Sequence, residues 1–277
     1  MFSRARRRGR IRLPAATYHY LLITFPVLDV TFTPAEFTAL RQRDLSQTVC
    51  VVFDVLRATS TMVTALANGA REIIPVCEIA EAVALRQARP DLLLAGERDG
   101  VRILRSQTGS MDFDLGNSPR EFTRERVAGR SIAMTTTNGT RALQACRGAR
   151  RVLVGSFLNL GAVAGWLARE RPENLLIVCS GTHEEAAYED VLGAGALCDA
   201  VWPQFAGGHV ADSAQVAREI FRQSSSDLLA AVQRARNARR LLALPELGED
   251  VAVCLQRDSV NLLAEMTADG AVRVACA

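Results

Sequence analysis

The sequence predicts an α/β fold, three layers of α/β/α around a largely parallel or mixed sheet, and three observations carry that reading. Aromatic residues are only 5% of the chain while apolar residues reach 49%, and the dominant Ala, Val and Leu suit helices packed on a sheet better than a β-sandwich. Val49-Cys50-Val51-Val52-Phe53 is an unbroken β-prone apolar run, as expected of a central strand covered on both faces. Strand-like and helix-like segments then alternate along the chain, the order that parallel strands and crossover helices require.

The first 26 residues stand apart. Arg4, Arg6, Arg7, Arg8, Arg10 and Arg12 occur there with no Asp or Glu, and the apolar run that follows carries His19, Thr24 and Pro26. That run is too short to span a bilayer and has no small-residue cleavage pattern. Residues 1–26 therefore read as a disordered or non-native N-terminal extension before a domain at 27–277. The formal charge is +3, and without those six arginines the remainder is −3. The body thus makes no electrostatic case for nucleic acid, and no membrane partner is expected. The seven cysteines include no C-x-x-C pair and lie mostly in apolar runs, a pattern of reduced, buried thiols in a cytoplasmic protein.

Within the domain, residues 28–32 alternate as a strand, and Thr33-Pro34-Ala35-Glu36 opens a helix with Pro at its first position. The 49–53 strand ends at Asp54, and Thr59-Ser60-Thr61 offer caps to a helix over 59–68 that Gly69 closes. A strand at 72–76, a helix at 79–88 and a strand at 92–95 follow, the last running into Gly96-Glu97-Arg98-Asp99-Gly100. The order returns as a strand at 131–134, a hydroxyl-rich turn at 135–140, a helix at 141–146, a strand at 150–154, a helix at 160–169 and a strand at 175–179. Gly69-Ala70-Arg71 recurs as Gly148-Ala149-Arg150 at the offset that lays Asn138-Gly139-Thr140 on Thr59-Ser60-Thr61. Two similar βαβαβ halves are therefore expected, about 49–97 and 131–181. Beyond them the pattern predicts a helix at 191–201 whose Gly193 and Gly195 imply close packing, amphipathic surface helices at 213–221 and 227–236 and a last strand at 250–255, and the chain after Asp258 carries no readable periodicity.

The chemistry concentrates at strand ends. A carboxylate at the carboxyl end of a buried strand is held over the crevice where open α/β sheets bind ligands, and Asp54 is followed within one turn by Arg57 and a helix start. Helix start and guanidinium suit an anion, and the carboxylate suits a metal; an ordinary Asp54–Arg57 salt bridge is the plain alternative. Glu97 and Arg98 repeat the pairing at a second strand end. Residues 111–121 carry Asp112, Asp114, Asn117 and Glu121, either as a solvated connector or as oxygen ligands for a hard cation. Cys179 ends a strand with no basic neighbour nearer than His183, and reads as a structural thiol rather than a nucleophile.

Six motifs occur in one order between Asp54 and Asp190, Asp54-Val55-Leu56-Arg57-Ala58-Thr59-Ser60-Thr61, Gly96-Glu97-Arg98, Phe113-Asp114-Leu115-Gly116-Asn117-Ser118-Pro119, Thr136-Thr137-Asn138-Gly139-Thr140, Gly155-Ser156-Phe157-Leu158-Asn159 and Glu189-Asp190. In this the sequence resembles the 2-phosphosulfolactate phosphatase family. The resemblance implies a homodimeric, Mg²⁺-dependent phosphatase that hydrolyses the phosphate monoester of 2-phospho-3-sulfolactate, a step toward coenzyme M. On that footing the catalytic set expected is Asp54, Arg57, Glu97 and Arg98. Asp54 with Glu97, Asp114, Glu189 or Asp190 would hold Mg²⁺, while Thr59, Ser60, Thr61, Asn117, Thr137, Asn138, Gly139, Thr140, Ser156 and Asn159 would bind substrate. An aspartyl-phosphate on Asp54 and a metal-activated water both stay open. Leu56 stands where haloacid-dehalogenase chemistry needs a second Asp, so that chemistry is not expected. Asp112, Ala187-Tyr188 and Ala238 depart from the family pattern and bear on the organic half of the substrate. The rival expectations are another small anionic phosphate ester and a non-catalytic anion-binding protein.

Overall fold

The computed structural model describes residues 27–275; the arginine-rich stretch 1–26 and Cys276 lie outside the described residues. Eleven strands form one mixed sheet, β1 Val27–Thr31, β2 Thr48–Phe53, β3 Glu72–Pro75, β4 Leu93–Arg98, β5 Val101–Arg102, β6 Ser131–Thr135, β7 Arg151–Gly155, β8 Asn174–Cys179, β9 His209–Val210, β10 Ala264–Met266 and β11 Val272–Val274. Their spatial order is β5-β4-β6-β3-β11-β10-β7-β2-β8-β1-β9. Helices cover both faces, giving the expected three-layer α/β/α class. Val49, Val51 and Phe53 of β2 enter one core, and Cys50 and Val52 enter the other, so the apolar run of β2 is buried on both sides for the reason its lack of alternation suggests.

Two parallel blocks, β4-β6-β3 and β7-β2-β8-β1-β9, meet at the antiparallel hairpin β10–β11. Three antiparallel pairings separate β3 from β7, so the blocks run in opposite senses along the sheet. Six inter-strand steps lie between β2 and β4, and a twist of about 20–25° per step turns one block through roughly 120–150° relative to the other. The carboxyl ends of β2, β4 and β6 thereby share one cleft, which Asp54, Glu97 and Thr137 all line. Strands of the stretches 49–97 and 131–181 interleave: β2 lies between β7 and β8, while β6 lies between β3 and β4. Each stretch inserts its first strand between the last two of the other.

The helix Ala58–Ala67 runs from the end of β2 through the core, with eight of its ten residues buried. Helix Gly139–Ala145 starts beside it, since a Cβ on Gly139 would lie 2.6 Å from Ala58 Cβ. Helix Tyr188–Phe205 is longer than the predicted 191–201, and its glycines do mark close packing. A Cβ on Gly195 would meet the Ala217 carbonyl at 2.1 Å, and one on Gly193 would meet the Phe53 ring at 2.7 Å.

Two expectations are corrected, and a stretch without sequence signal proves structured. Residues 250–255 are not a strand; Glu249–Cys254 is a helix with two acids in its first turn, where the helix dipole favours them. Val251, Val253 and Leu255 mimic strand alternation, but Asp250, Val251 and Cys254 are the buried face, which is helical spacing. The 227–236 segment divides into Leu228–Gln233 and Arg236–Leu242. The chain after Asp258 does carry structure, for β10 and β11 join the two blocks; three-residue strands are too short for a periodicity to show.

At the end of β4, Gly96 has φ +153°, and a Cβ there would lie 2.1 Å from the Thr135 carbonyl oxygen on β6. Gly96→Ala is expected to cost about 3 kcal/mol or more from overpacking and backbone strain, read by urea denaturation. Wild-type stability would show that the two strands can separate at no cost.

Candidate active site

Asp54 leaves β2 where the chain turns into Ala58–Ala67. Its Oδ1 accepts from the Ala58 N–H at 3.0 Å, its own N–H donates to Thr59 Oγ1 at 3.0 Å, and the Thr59 hydroxyl donates back to the Asp54 carbonyl at 2.9 Å. The turn is thus fixed from both sides, and no described donor bonds Oδ2. That oxygen lies against Gly139, where a Cβ would sit 2.6 Å away. Burial pushes the Asp54 carboxyl up to about 7; the charges of Glu97 and Glu189 add to this, while the Ala58 N–H and Arg57 oppose it.

Asp54 opens into a cleft also lined by Arg57, Glu97, Asn117, Thr137, Asn138, Thr182, His183, Asn237 and Arg240. Glu97 is 7% exposed. Its Oε1 accepts from the Thr137 N–H and hydroxyl at 2.9 and 3.0 Å, and its Oε2 accepts from the Gly100 N–H at 2.7 Å. Asp99 and Gly100, both at positive φ, form the two-residue turn between β4 and β5, as an Asp-Gly pair favours. The Gly100 carbonyl accepts from Arg57 Nη2 at 2.6 Å, and Arg57 Nη1 donates to Asp250 Oδ2 at 2.7 Å. Arg57 is 3% exposed and Asp250 fully buried. Ser118 donates to the other Asp250 oxygen at 2.7 Å.

Behind the cleft, Glu189 Oε1 accepts from Asn237 Nδ2 at 2.5 Å, and Nδ2 also reaches Thr182 Oγ1 at 2.7 Å. Glu189 Oε2 and Asn117 Oδ1 are buried with no hydrogen-bond partner. Burial raises the Glu189 carboxyl. Asp190 is raised well above the usual range, first by burial and then by Asp54 and Glu189; its two oxygens accept from the Val55 N–H at 2.8 Å and the Gly181 N–H at 3.0 Å. Asp190 therefore ties the Asp54 turn to the loop after β8.

The family model described as 2-phosphosulpholactate phosphatase matches residues 35–269. A protein of Pseudothermotoga lettingae named probable 2-phosphosulfolactate phosphatase is 37% identical over 250 residues, 90% of this chain and 100% of its own. Proteins with the same name from Caldanaerobacter subterraneus subsp. tengcongensis and Gloeobacter violaceus are 36% and 40% identical over 245 and 222 residues, 87% and 79% of this chain and 96% and 89% of their own. The chain belongs to the 2-phosphosulfolactate phosphatase family. Its cleft is therefore that of a family of phosphatases, and the six motifs meet around it unequally.

Asp54, Arg57, Glu97, Asn117, Thr137 and Asn138 line the cleft, with Gly139 packed behind Asp54. Arg98 does not join them: successive strand residues face opposite ways, and its Nη2 bonds the Cys77 carbonyl at 3.2 Å and Thr135 Oγ1 at 3.0 Å. Thr59, Ser60, Thr61, Thr140, Ser156 and Asn159 are fully buried. The hydroxyls of Ser60, Thr61 and Thr140 donate to the carbonyls of Val55, Asn117 and Thr136, while Asn159 accepts from Ser156 and donates to the Val154 carbonyl. These residues build the walls. Asp114 is elsewhere, accepting from Arg86 at 2.6 Å and the Leu94 N–H at 2.8 Å. Cys179 is fully buried, and burial raises its thiol well above the usual range, as a structural thiol should be. Thr182, His183, Asn237, Arg240 and Asp250 were not singled out by the sequence; Gly181-Thr182 at the end of β8 is the one local signal, a strand end like those of β2 and β4.

Among the described residues no three His, Cys, Asp or Glu side chains form a preformed metal cage. The donors still fit a hard cation that keeps most of its waters. Asp54 Oδ2 and the orphaned Asn117 Oδ1 are oxygens at the cleft, and a cation there would offset the burial, and after it the Glu97 and Glu189 charges, that push the Asp54 carboxyl up to about 7. Glu97 and Asp190 are already occupied by protein donors, and Glu189 stands behind Asn237.

Proposed function

We propose that this chain is a Mg²⁺-dependent phosphatase that hydrolyses the phosphate monoester of 2-phospho-3-sulfolactate to 3-sulfolactate and phosphate. The observation that carries the reading is the Asp54 carboxylate, fixed by its own turn with Oδ2 turned to an oxygen-lined cleft, in a chain of this family. Asp54 and Asn117 would hold Mg²⁺ there, with Glu189 supporting from behind. The ion supplies charge neutralisation for the phosphate oxygens. On this reading Asp54 would take a proton from an attacking water or meet phosphorus itself, through whichever carboxylate oxygen the ion leaves free. Arg57, neutralised by Asp250 and donating to the Gly100 carbonyl, would offer the phosphate a guanidinium dipole held in place before charge develops rather than a net positive charge. Glu97 holds Thr137 and the Gly100 turn in register, and the Asn138 amide, donating to the His183 carbonyl at 3.1 Å, joins the β6 and β8 ends of the cleft. The reading includes a cytoplasmic homodimer; no helix of the described residues is long and apolar enough to cross a membrane.

Phosphate release from 2-phospho-3-sulfolactate, beside a panel of small phosphate monoesters, tests this. Turnover of the sulfolactate ester in Mg²⁺ is expected to fall at least about 100-fold in EDTA and to return on adding Mg²⁺. Turnover confined to other esters would remove the substrate, and turnover unaffected by EDTA would remove the metal.

A further inference from the structure

We propose that Arg240 is the specificity residue of the cleft, the cation that receives the sulfonate of a sulfonated phosphate ester; the inference rests on the phosphatase reading above. Two arginines line the cleft among the described residues, Arg57 and Arg240, and they differ in how they are held. Arg57 is buried, with Nη1 on Asp250 at 2.7 Å and Nη2 on the Gly100 carbonyl at 2.6 Å. Arg240 is about half exposed, and its one described ion pair is a loose 3.5 Å approach to Asp99 Oδ1, itself 73% exposed. A pair this open and long contributes little by itself, so the guanidinium can leave Asp99 for a stronger anion at small cost.

The charges of the cleft are also divided. Asp54 and Glu97 supply the acidic side at the ends of β2 and β4, while Arg240 stands on the helix Arg236–Leu242, against the Asp99-Gly100 turn, with its Nε 3.9 Å from where a Gly100 Cβ would lie. A substrate with one anion met by a cation at Asp54 and a second anion a few bonds away finds its second partner in Arg240. The planar guanidinium forks onto two oxygens of a tetrahedral oxyanion, and a sulfonate, ionised at all working pH values, keeps that contact without titrating. Two neighbouring arginines already have carboxylate partners. Arg236 is paired with Glu185, and Arg141 with Glu184 at 3.1 Å. Asp99, on the tight β4–β5 turn, is the carboxylate that a substrate sulfonate would replace on Arg240.

A group that binds a remote part of the substrate equally in ground and transition states moves KM rather than kcat. The test compares 2-phospho-3-sulfolactate with 2-phospholactate, which lacks the sulfonate, for wild type, Arg240→Ala, Arg240→Lys and Asp99→Asn in Mg²⁺, with thermal melts to confirm folding. Arg240→Ala is expected to lose at least about 30-fold in kcat/KM on the sulfonated ester, mostly through KM, and no more than about threefold on 2-phospholactate. Arg240→Lys should recover part of the loss, and Asp99→Asn should lower KM for the sulfonated ester alone. Equal losses on both esters, or no loss on either, would overturn the assignment while leaving the phosphatase intact. If wild type hydrolysed neither ester, the phosphatase reading would fail, and calorimetric titration with 3-sulfolactate would decide this one. Binding weakened at least about tenfold by Arg240→Ala would uphold it, and unchanged or absent binding would overturn it.

Discussion

At pH 8 in EDTA, Asp54→Asn is expected to melt at least about 5 °C above the wild-type chain, while its kcat in Mg²⁺ falls at least about 10³-fold. The Asp54 carboxyl is raised from 3.8 to about 7 in the folded chain, first by burial and then by Glu97 and Glu189. Between those pH values the folded state holds a proton that the unfolded state has released. Stability must therefore fall as pH rises from about 4 to about 7, by up to about 4 kcal/mol at 1.36 kcal/mol per unit. Asn keeps the acceptor for the Ala58 N–H and carries no charge, so the variant escapes that loss. Its advantage should vanish near pH 4 and be complete above pH about 7. EDTA is needed because a bound cation would stabilise the wild type by mass action. Equal melting at pH 8 would mean that the carboxylate is not under electrostatic pressure and that the charge argument for a cation at Asp54 is wrong.

Asp250→Ala should be the most destabilising single change near the cleft, by about 3–5 kcal/mol. Arg57 is 3% exposed and Asp250 fully buried, bonded at 2.7 Å, with Ser118 on the second carboxylate oxygen. Removing the acid leaves a buried guanidinium without its counter-charge and a buried hydroxyl without its acceptor. The double variant Arg57→Met/Asp250→Leu separates stability from function. A buried pair exchanged for apolar residues of similar size is often neutral in stability, so the double variant should regain most of the loss in urea denaturation and remain inactive for want of Arg57. Full activity in a stable double variant would show that Arg57 is structural only.

Much of this architecture is written locally in the chain. The apolar run of β2, its end at Asp54 and the helix behind it follow from burial on both faces and from the order of residue types, and the Asp54, Glu97, Thr137 and Asn138 strand ends do meet. What could not be read is set by three-dimensional packing. Glu97 and Arg98 stand as an acid-base pair in sequence, yet strand alternation sends them to opposite faces, so only one reaches the cleft. The hydroxyls of Thr59, Ser60 and Thr61 satisfy protein acceptors inside the core, a fate that sequence alone does not distinguish from ligand binding. Asp250 is 193 residues from Arg57, in a short segment whose apolar alternation imitates a strand. Asn237 and Arg240 lie just past the helix read at 227–236, and only the twist of the whole sheet and the helices folded over its ends bring them beside Asp54.

The central claim is that the cleft around Asp54 hydrolyses a phosphate ester, and the most direct measurement is phosphate release from 2-phospho-3-sulfolactate by wild type and Asp54→Asn, side by side in Mg²⁺, with folding of both confirmed by thermal melts. The account predicts turnover by the wild type and a loss of at least about 10³-fold in the variant. Turnover by Asp54→Asn within tenfold of the wild type would contradict it, because the chemistry would then belong to some other part of the molecule.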